Sequence, residues 1–171
     1  MAARNEADAA DATASALLGT RHHLRSDVSP EEAEYHLRLV RETTPQFATF
    51  TDEELYVLSK YLSVMEYAMD EVLIREGESA SWFGIQLSGV TMVDIAGGDS
   101  FCFYAGALVG EMAMWQPGSL RSATIIGKEP GLVATLLVEE LELFYNEFPE
   151  TGFKLSQLSG ASAITKQMTV A

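Results

Sequence analysis

Phe83-Gly84-Ile85-Gln86-Leu87-Ser88-Gly89-Val90 sets a large apolar side chain at every second position from 83 to 87, with Gly, Gln and Ser between them. A period of two is the pattern of a half-buried strand, one face on a core and the other toward solvent. The change to this period begins at Val72, and short strands follow it, punctuated by Gly77, Gly89, Gly97-Gly98 and Gly127. Ala96-Gly97-Gly98-Asp99 can supply the positive backbone angles of a hairpin turn. Ile125-Ile126 and Leu132 to Val138 read as two apolar strands about a turn from Gly127 to Gly131.

On either side of the strands the period lengthens to that of helices. Ser29-Pro30-Glu31-Glu32 combines an N-cap, a proline at the first helical position and a Glu three residues on, and Ala33, Leu37 and Val40 carry the apolar stripe toward an end before Pro45. Thr51 and Glu54 form a capping box, Phe50 and Leu55 occupy the positions of a hydrophobic staple, and Leu58 and Leu62 continue the buried face. After the strands, Glu139-Glu140 suit a helix N-terminus, and Leu141, Phe144 and Phe148 keep helical spacing up to Pro149, with a further helix from Glu150 to Thr165. The expected architecture is α+β: a small antiparallel β-barrel or jelly roll flanked by N- and C-terminal helices. The expected divisions are an N-terminal arm over 1–28 that is flexible or ordered by a partner, a helical extension over 29–48, the domain proper over 49–165 and a tail over 166–171.

Composition narrows the function. The 171 residues carry 25 Asp and Glu against 11 Lys and Arg, a formal charge of -14, which opposes the clustered cations that binding a nucleic-acid backbone needs. Cys102 is the single cysteine, excluding an intramolecular disulfide and any multi-cysteine metal site, and is read as a buried apolar thiol. The N-terminus lacks the basic-then-apolar order of a secretory signal, and no uncharged run is long and apolar enough to span a bilayer; an intracellular, cytoplasmic protein is the expectation. The histidines stand at 22, 23 and 36, all before the strands, so neither a metal inside the barrel nor a His-based catalytic pair can be assembled there, and neither an enzyme nor a metal site is expected.

Between Glu76 and Arg121 there is no Lys or Arg. Arg121 therefore stands as an isolated cation in largely apolar sequence, close after Gly110-Glu111-Met112-Ala113-Met114 and followed by Ser122-Ala123-Thr124. A guanidinium offers paired donors that match phosphate oxygens, whereas Lys would be a point charge. A buried Glu111 needs donors to offset its desolvation, and sugar hydroxyls are such donors. Small side chains at Ala113, Ser122 and Ala123 let backbone approach closely. Other readings of the same residues stay open: a salt bridge between Arg121 and Glu111 in a domain without a ligand, a helix-start role for Glu111, core packing for Met112 and Met114, and a loop anchor for Trp115.

From Phe50 to Ser156 the order of elements, with Glu76-Gly77-Glu78, the strand Phe83 to Leu87 ending in Ser88-Gly89-Val90, Gly106, Gly110-Glu111 and Arg121-Ser122-Ala123-Thr124, resembles the cyclic nucleotide-binding domain. That domain is shared by catabolite-activator-type regulators, cAMP-dependent kinase regulatory subunits and cyclic-nucleotide-gated channels. The resemblance implies a site of Gly110, Glu111, Met112, Ala113, Arg121, Ser122 and Ala123. In it Arg121 holds the cyclic phosphate, Glu111 accepts the ribose 2′-hydroxyl, backbone N–H groups after Gly110 and near Ala123 complete the cradle, and Met112 covers the purine. Val109 departs from the common Phe and Leu120 from the Pro of kinase-type cassettes, while the loop length follows the bacterial activators. Ser122 leaves the choice of cAMP or cGMP open.

The function implied is a stand-alone sensor that binds cAMP or a related 3′,5′-cyclic nucleotide, with no other cofactor, and signals through a protein partner by way of the N-terminal arm or the helices. The alternative is a ligand-free domain of the same shape serving as a structural or docking subunit. The stretch after the last strand is too short and too acidic for a DNA-binding helix-turn-helix.

Overall fold

Ser29 opens the first helix as the sequence predicts. Its hydroxyl accepts the Glu32 N–H at 3.1 Å, Pro30 takes the first helical position, and Ala33, Leu37 and Val40 are buried along α1 (Pro30–Thr43). In this computed structural model, which describes residues 28–94 and 100–170 with side chains through Ser159, a 3-10 turn (Pro45–Phe47) leads to α2 (Asp52–Tyr61). There the expected capping box is complete: Glu54 N–H donates to Thr51 Oγ1 at 3.1 Å and Thr51 N–H to Glu54 Oε1 at 3.0 Å. Phe50 and Leu55, the expected staple pair, are both buried.

Six strands follow: β1 (Ser63–Tyr67), β2 (Val72–Ile74), β3 (Trp82–Asp94), β4 (Phe101–Phe103), β5 (Leu108–Val109) and β6 (Thr124–Leu137), with a short helix α3 (Met112–Trp115) between the last two. Two helices close the chain, α4 (Val138–Glu147) and α5 (Pro149–Val170). All pairings are antiparallel, in the order β1-β6-β3-β4, with β2 also on β6 and β5 on β3. The long strands β3 and β6 are the spine, running in register from Trp82↔Leu137 to Asp94↔Thr124 with shifts between Gln86 and Thr91. The architecture is the expected α+β, jelly-roll-like one. No ladder joins β1 to β4 among the described residues, so hydrogen bonding leaves the sheet open rather than closed into a barrel.

Phe83, Ile85 and Leu87 pack with Leu37, Phe47, Leu55, Leu58, Phe144 and Leu155 in one core between sheet and helices. Trp82, on the opposite face of β3, joins Leu73, Ile74, Val93, Phe103, Val109, Ile125 and Val133 in a second core inside the sheet's curvature. β3 is therefore buried on both faces where a half-buried strand was expected, because the helices cover the face that solvent would otherwise take. The buried polar atoms of its inner stretch bond one another: Gln86 Nε2 donates to the Tyr67 hydroxyl at 2.8 Å and Thr91 Oγ1 to Gln86 Oε1 at 2.9 Å.

Four further expectations change. Residues 124–137 form one continuous strand, not two about a turn, because Gly127 and Gly131 serve close approach: a Cβ on Gly131 would lie 2.2 Å from the Ser88 carbonyl oxygen and one on Gly127 2.4 Å from that of Ala68. Pro130 is accommodated where the register shifts against β3. β1 precedes the expected first strand; its burial does not alternate, so no period of two announces it. Cys102 is half-exposed, its thiol 3.7 Å from Lys128 Nζ, rather than buried. α5 runs past the expected end at Thr165. The expected turn at Ala96-Gly97-Gly98-Asp99, the arm to residue 27 and His22-His23 lie outside the described residues.

Candidate functional site

Between β5 and β6 the chain leaves the sheet, makes one helical turn and returns, and the backbone fixes each step. Gly110 adopts φ +68°, and the turn then closes through Ala113 N–H to the Gly110 carbonyl at 3.2 Å and Met114 N–H to that of Glu111 at 3.0 Å. The returning strand pairs with the segment after β2: Ala80 N–H donates to Ser119 O at 2.8 Å and Gly118 N–H to Ala80 O at 3.0 Å. Arg121 N–H donates to Glu78 O at 2.7 Å, and Gly77 N–H donates to Arg121 O at 2.8 Å. Glu76-Gly77-Glu78 thus grips Arg121 through main chain on both its sides, which gives that stretch of sequence its physical purpose.

The guanidinium turns inward. Arg121 is 8% exposed; its Nη1 donates to the Gly110 carbonyl at 3.2 Å and its Nη2 to the Trp82 carbonyl at 2.5 Å, with Cζ 5.1 Å from the centre of the Trp82 ring. Gly110 makes room for it, since a Cβ there would lie 2.6 Å from Nη1. Burial lowers the guanidinium's pKa to about 10, against the opposing pull of Glu78, so Arg121 is a cation throughout the physiological range. A buried cation held mainly by carbonyl dipoles is one whose burial an anion would offset.

Beside it lies a cavity of about 600 Å³. Of the seven site residues expected from sequence, Gly110, Glu111, Met112, Arg121, Ser122 and Ala123 line it. Ala113 does not: its side chain is fully buried in the core between sheet and helices, and its N–H is held by Gly110. Glu111 is 7% exposed and makes no side-chain cap bond at the start of α3. Met112, which core packing would have buried, is 53% exposed and lines the cavity, whereas Met114 is core. Trp115 anchors its loop to α5 rather than to the sheet, its indole N–H donating to Ser159 Oγ at 2.6 Å.

The walls were not found from sequence. Ile74, Val93, Phe101, Phe103 and Ile125 form an apolar side, with Phe101 and Phe103 edge to face at 5.4 Å between ring centres. Ala80, Gln116, Ser119 and Leu120 complete the rim. Phe101 and Phe103 carry the one signal available, two rings at spacing two on one strand face. The arrangement joins one buried cation, one buried carboxylate and an apolar wall around a space of the size that small ligands occupy. Such a site can hold an amphiphilic anion with hydroxyl groups.

No family model matches this sequence, and no curated protein matches it. Solved structures do. The chain is similar to a cyclic nucleotide-binding domain from Methylobacillus flagellatus KT, with a TM-score of 0.76 and 21% identity over 91% of this chain and 90% of that one. It is similar to a putative cyclic nucleotide-binding protein from Geobacter metallireducens GS-15, TM-score 0.61 and 19% identity over 81% and 97% of the two chains. It is also similar to the catabolite activator protein of Thermus thermophilus, TM-score 0.61 and 20% identity, covering 74% of this chain and 61% of that one. No helix among the described residues is long and apolar enough to cross a membrane. Helices, sheet and intervening loop together have the fold of the cyclic nucleotide-binding domains.

Proposed function

We propose that this protein is a cyclic nucleotide sensor of the cAMP type, a binding module without catalysis of its own, which passes ligand binding to a partner protein. One observation carries the reading: six of the seven residues expected to bind the nucleotide border a single cavity, with the buried Arg121 cation among them. The cyclic phosphate takes the donors of Arg121 that the Gly110 and Trp82 carbonyls leave, and the ribose 2′-hydroxyl donates to Glu111. The base lies toward Phe101, Phe103 and Val93, with Met112 over its face. Sensing further requires that the ligand favour one arrangement of loop and helices over another, and the Trp115–Ser159 bond already ties the ligand loop to α5.

A second reading rests on the same arginine. Two of its N–H groups are satisfied by carbonyls of the chain itself, as they would be in a domain of this shape that serves as a docking subunit and binds no nucleotide. Thermal melting with cAMP, cGMP and 5′-AMP separates the two. A sensor at 100 times its Kd gains about 2.7 kcal/mol, a rise of roughly 5–10 °C, with a cyclic nucleotide and none with 5′-AMP. Melting temperatures unmoved by all three favour the docking subunit.

A further inference from the structure

Away from the nucleotide cavity, the start of α5 meets α2 and the end of α4 at two adjoining hollows of about 470 and 490 Å³, which share Pro149, Glu150 and Lys154. Their apolar parts are Phe153, 63% exposed, with the half-buried Phe148 and Val57. A partner that covered the Phe153 ring would gain the burial of its apolar surface. The charge around it is mainly negative. Glu53, Glu147 and Glu150 are exposed at the rim, Glu147 accepting the Tyr61 hydroxyl at 2.9 Å, and the one cation among the lining residues, Lys154, is already bonded to Glu54 and to the Thr49 carbonyl.

We infer that this groove docks a basic amphipathic helix of a partner protein, with two apolar side chains in the adjoining hollows and Lys or Arg on Glu53, Glu147 and Glu150. Charge complementarity selects the occupant. An acidic helix would meet three carboxylates, and a second copy of this chain, at -14, would bring like charge to like. The walls come from three helices with no unpaired strand edge among them, so the fitting shape is a helix laid in a groove, anchored at spacing three or four, and not an added strand. The groove also gives a sensor somewhere to report. Its wall is α5, the helix that Trp115 ties to the ligand loop, though docking does not depend on any ligand being bound.

The test uses the full chain and a fluorescein-labelled sixteen-residue Leu/Lys amphipathic helix, with the matching Leu/Glu peptide as its opposite, read by anisotropy. The Leu/Lys peptide is expected to bind saturably and the Leu/Glu peptide not at all. Phe153→Ser, and separately the triple change Glu53→Gln, Glu147→Gln and Glu150→Gln, each weaken binding at least tenfold. A triple change of equal charge elsewhere, Glu31→Gln, Glu42→Gln and Glu142→Gln, leaves it within twofold. Circular dichroism melting confirms that each variant is folded, and amide shift mapping with unlabelled peptide locates binding in the intact wild-type chain should a variant unfold. No saturable binding, equal weakening by both triple variants, or shifts centred away from α2 and α5 would overturn the assignment.

Discussion

Arg121 is positioned by main chain on both sides of its own peptide unit and by two carbonyls at its tip, so its direction is set before any ligand arrives. The same geometry makes Gly110 indispensable, through φ +68° and through the 2.6 Å that a Cβ would leave to Nη1. Gly110→Ala is expected to destabilise the fold by about 1–3 kcal/mol, read by urea unfolding, and to weaken nucleotide binding as the guanidinium is displaced. An unchanged urea midpoint would mean that the loop relaxes without strain. Arg121, Glu111 and Gly110 were legible in the sequence because a charge or a glycine amid apolar residues asks for an explanation. Most of the cavity's apolar wall was not, since Ile74, Val93 and Ile125 look in sequence like any other strand residues. Ala113 lies in the core and not on the cavity, and the sequence could not separate the two because small size suits close approach and core packing equally.

Helix capping and helix docking meet at Glu54. Its carboxylate caps α2 at Thr51, accepts the Thr151 hydroxyl at 2.8 Å and pairs with Lys154, so one side chain fixes both the start of α2 and the seat of α5. Burial works against its charge, but Lys154, the Thr51 N–H and Thr151 outweigh it and hold the carboxyl below the usual range. A carboxyl with a depressed folded-state pKa contributes stability that is fully present above its unfolded value of 4.5 and lost as pH falls through the folded one. Glu54→Gln should therefore lower the melting temperature at pH 7 and flatten its decline below pH 4.5; a parallel decline in both proteins would remove Glu54 from the acid response. The capping box and staple were readable in sequence because they depend on neighbours three to five residues apart. β6 was misread because a glycine marks either a turn or a close approach, and the strand that approaches Gly131 is some forty residues distant in the chain.

Across the whole molecule the formal charge of -14 acts on folding and on binding alike. Self-repulsion of that size destabilises the compact state, so the melting temperature should rise between about 0.01 and 0.15 M salt, as the screening length falls from about 30 to 8 Å. A melting temperature that falls over that range would place the net effect in local ion pairs instead. The jelly-roll-like class was legible from the order of periods, while the open edge between β1 and β4 depends on long-range pairing that no local pattern encodes. The proposed binding of an anion at Arg121 has to work against the overall field, and it relies on the enclosure of that cation by apolar walls, where water screens it little. Calorimetric titration of cAMP into the wild type and Arg121→Leu tests that claim most directly. Saturable binding near micromolar amounts to about 8 kcal/mol, and removing the guanidinium should take away about 2–5 kcal/mol, at least a tenfold loss in a variant that still melts cooperatively. Equal affinities in the two folded proteins would contradict the account.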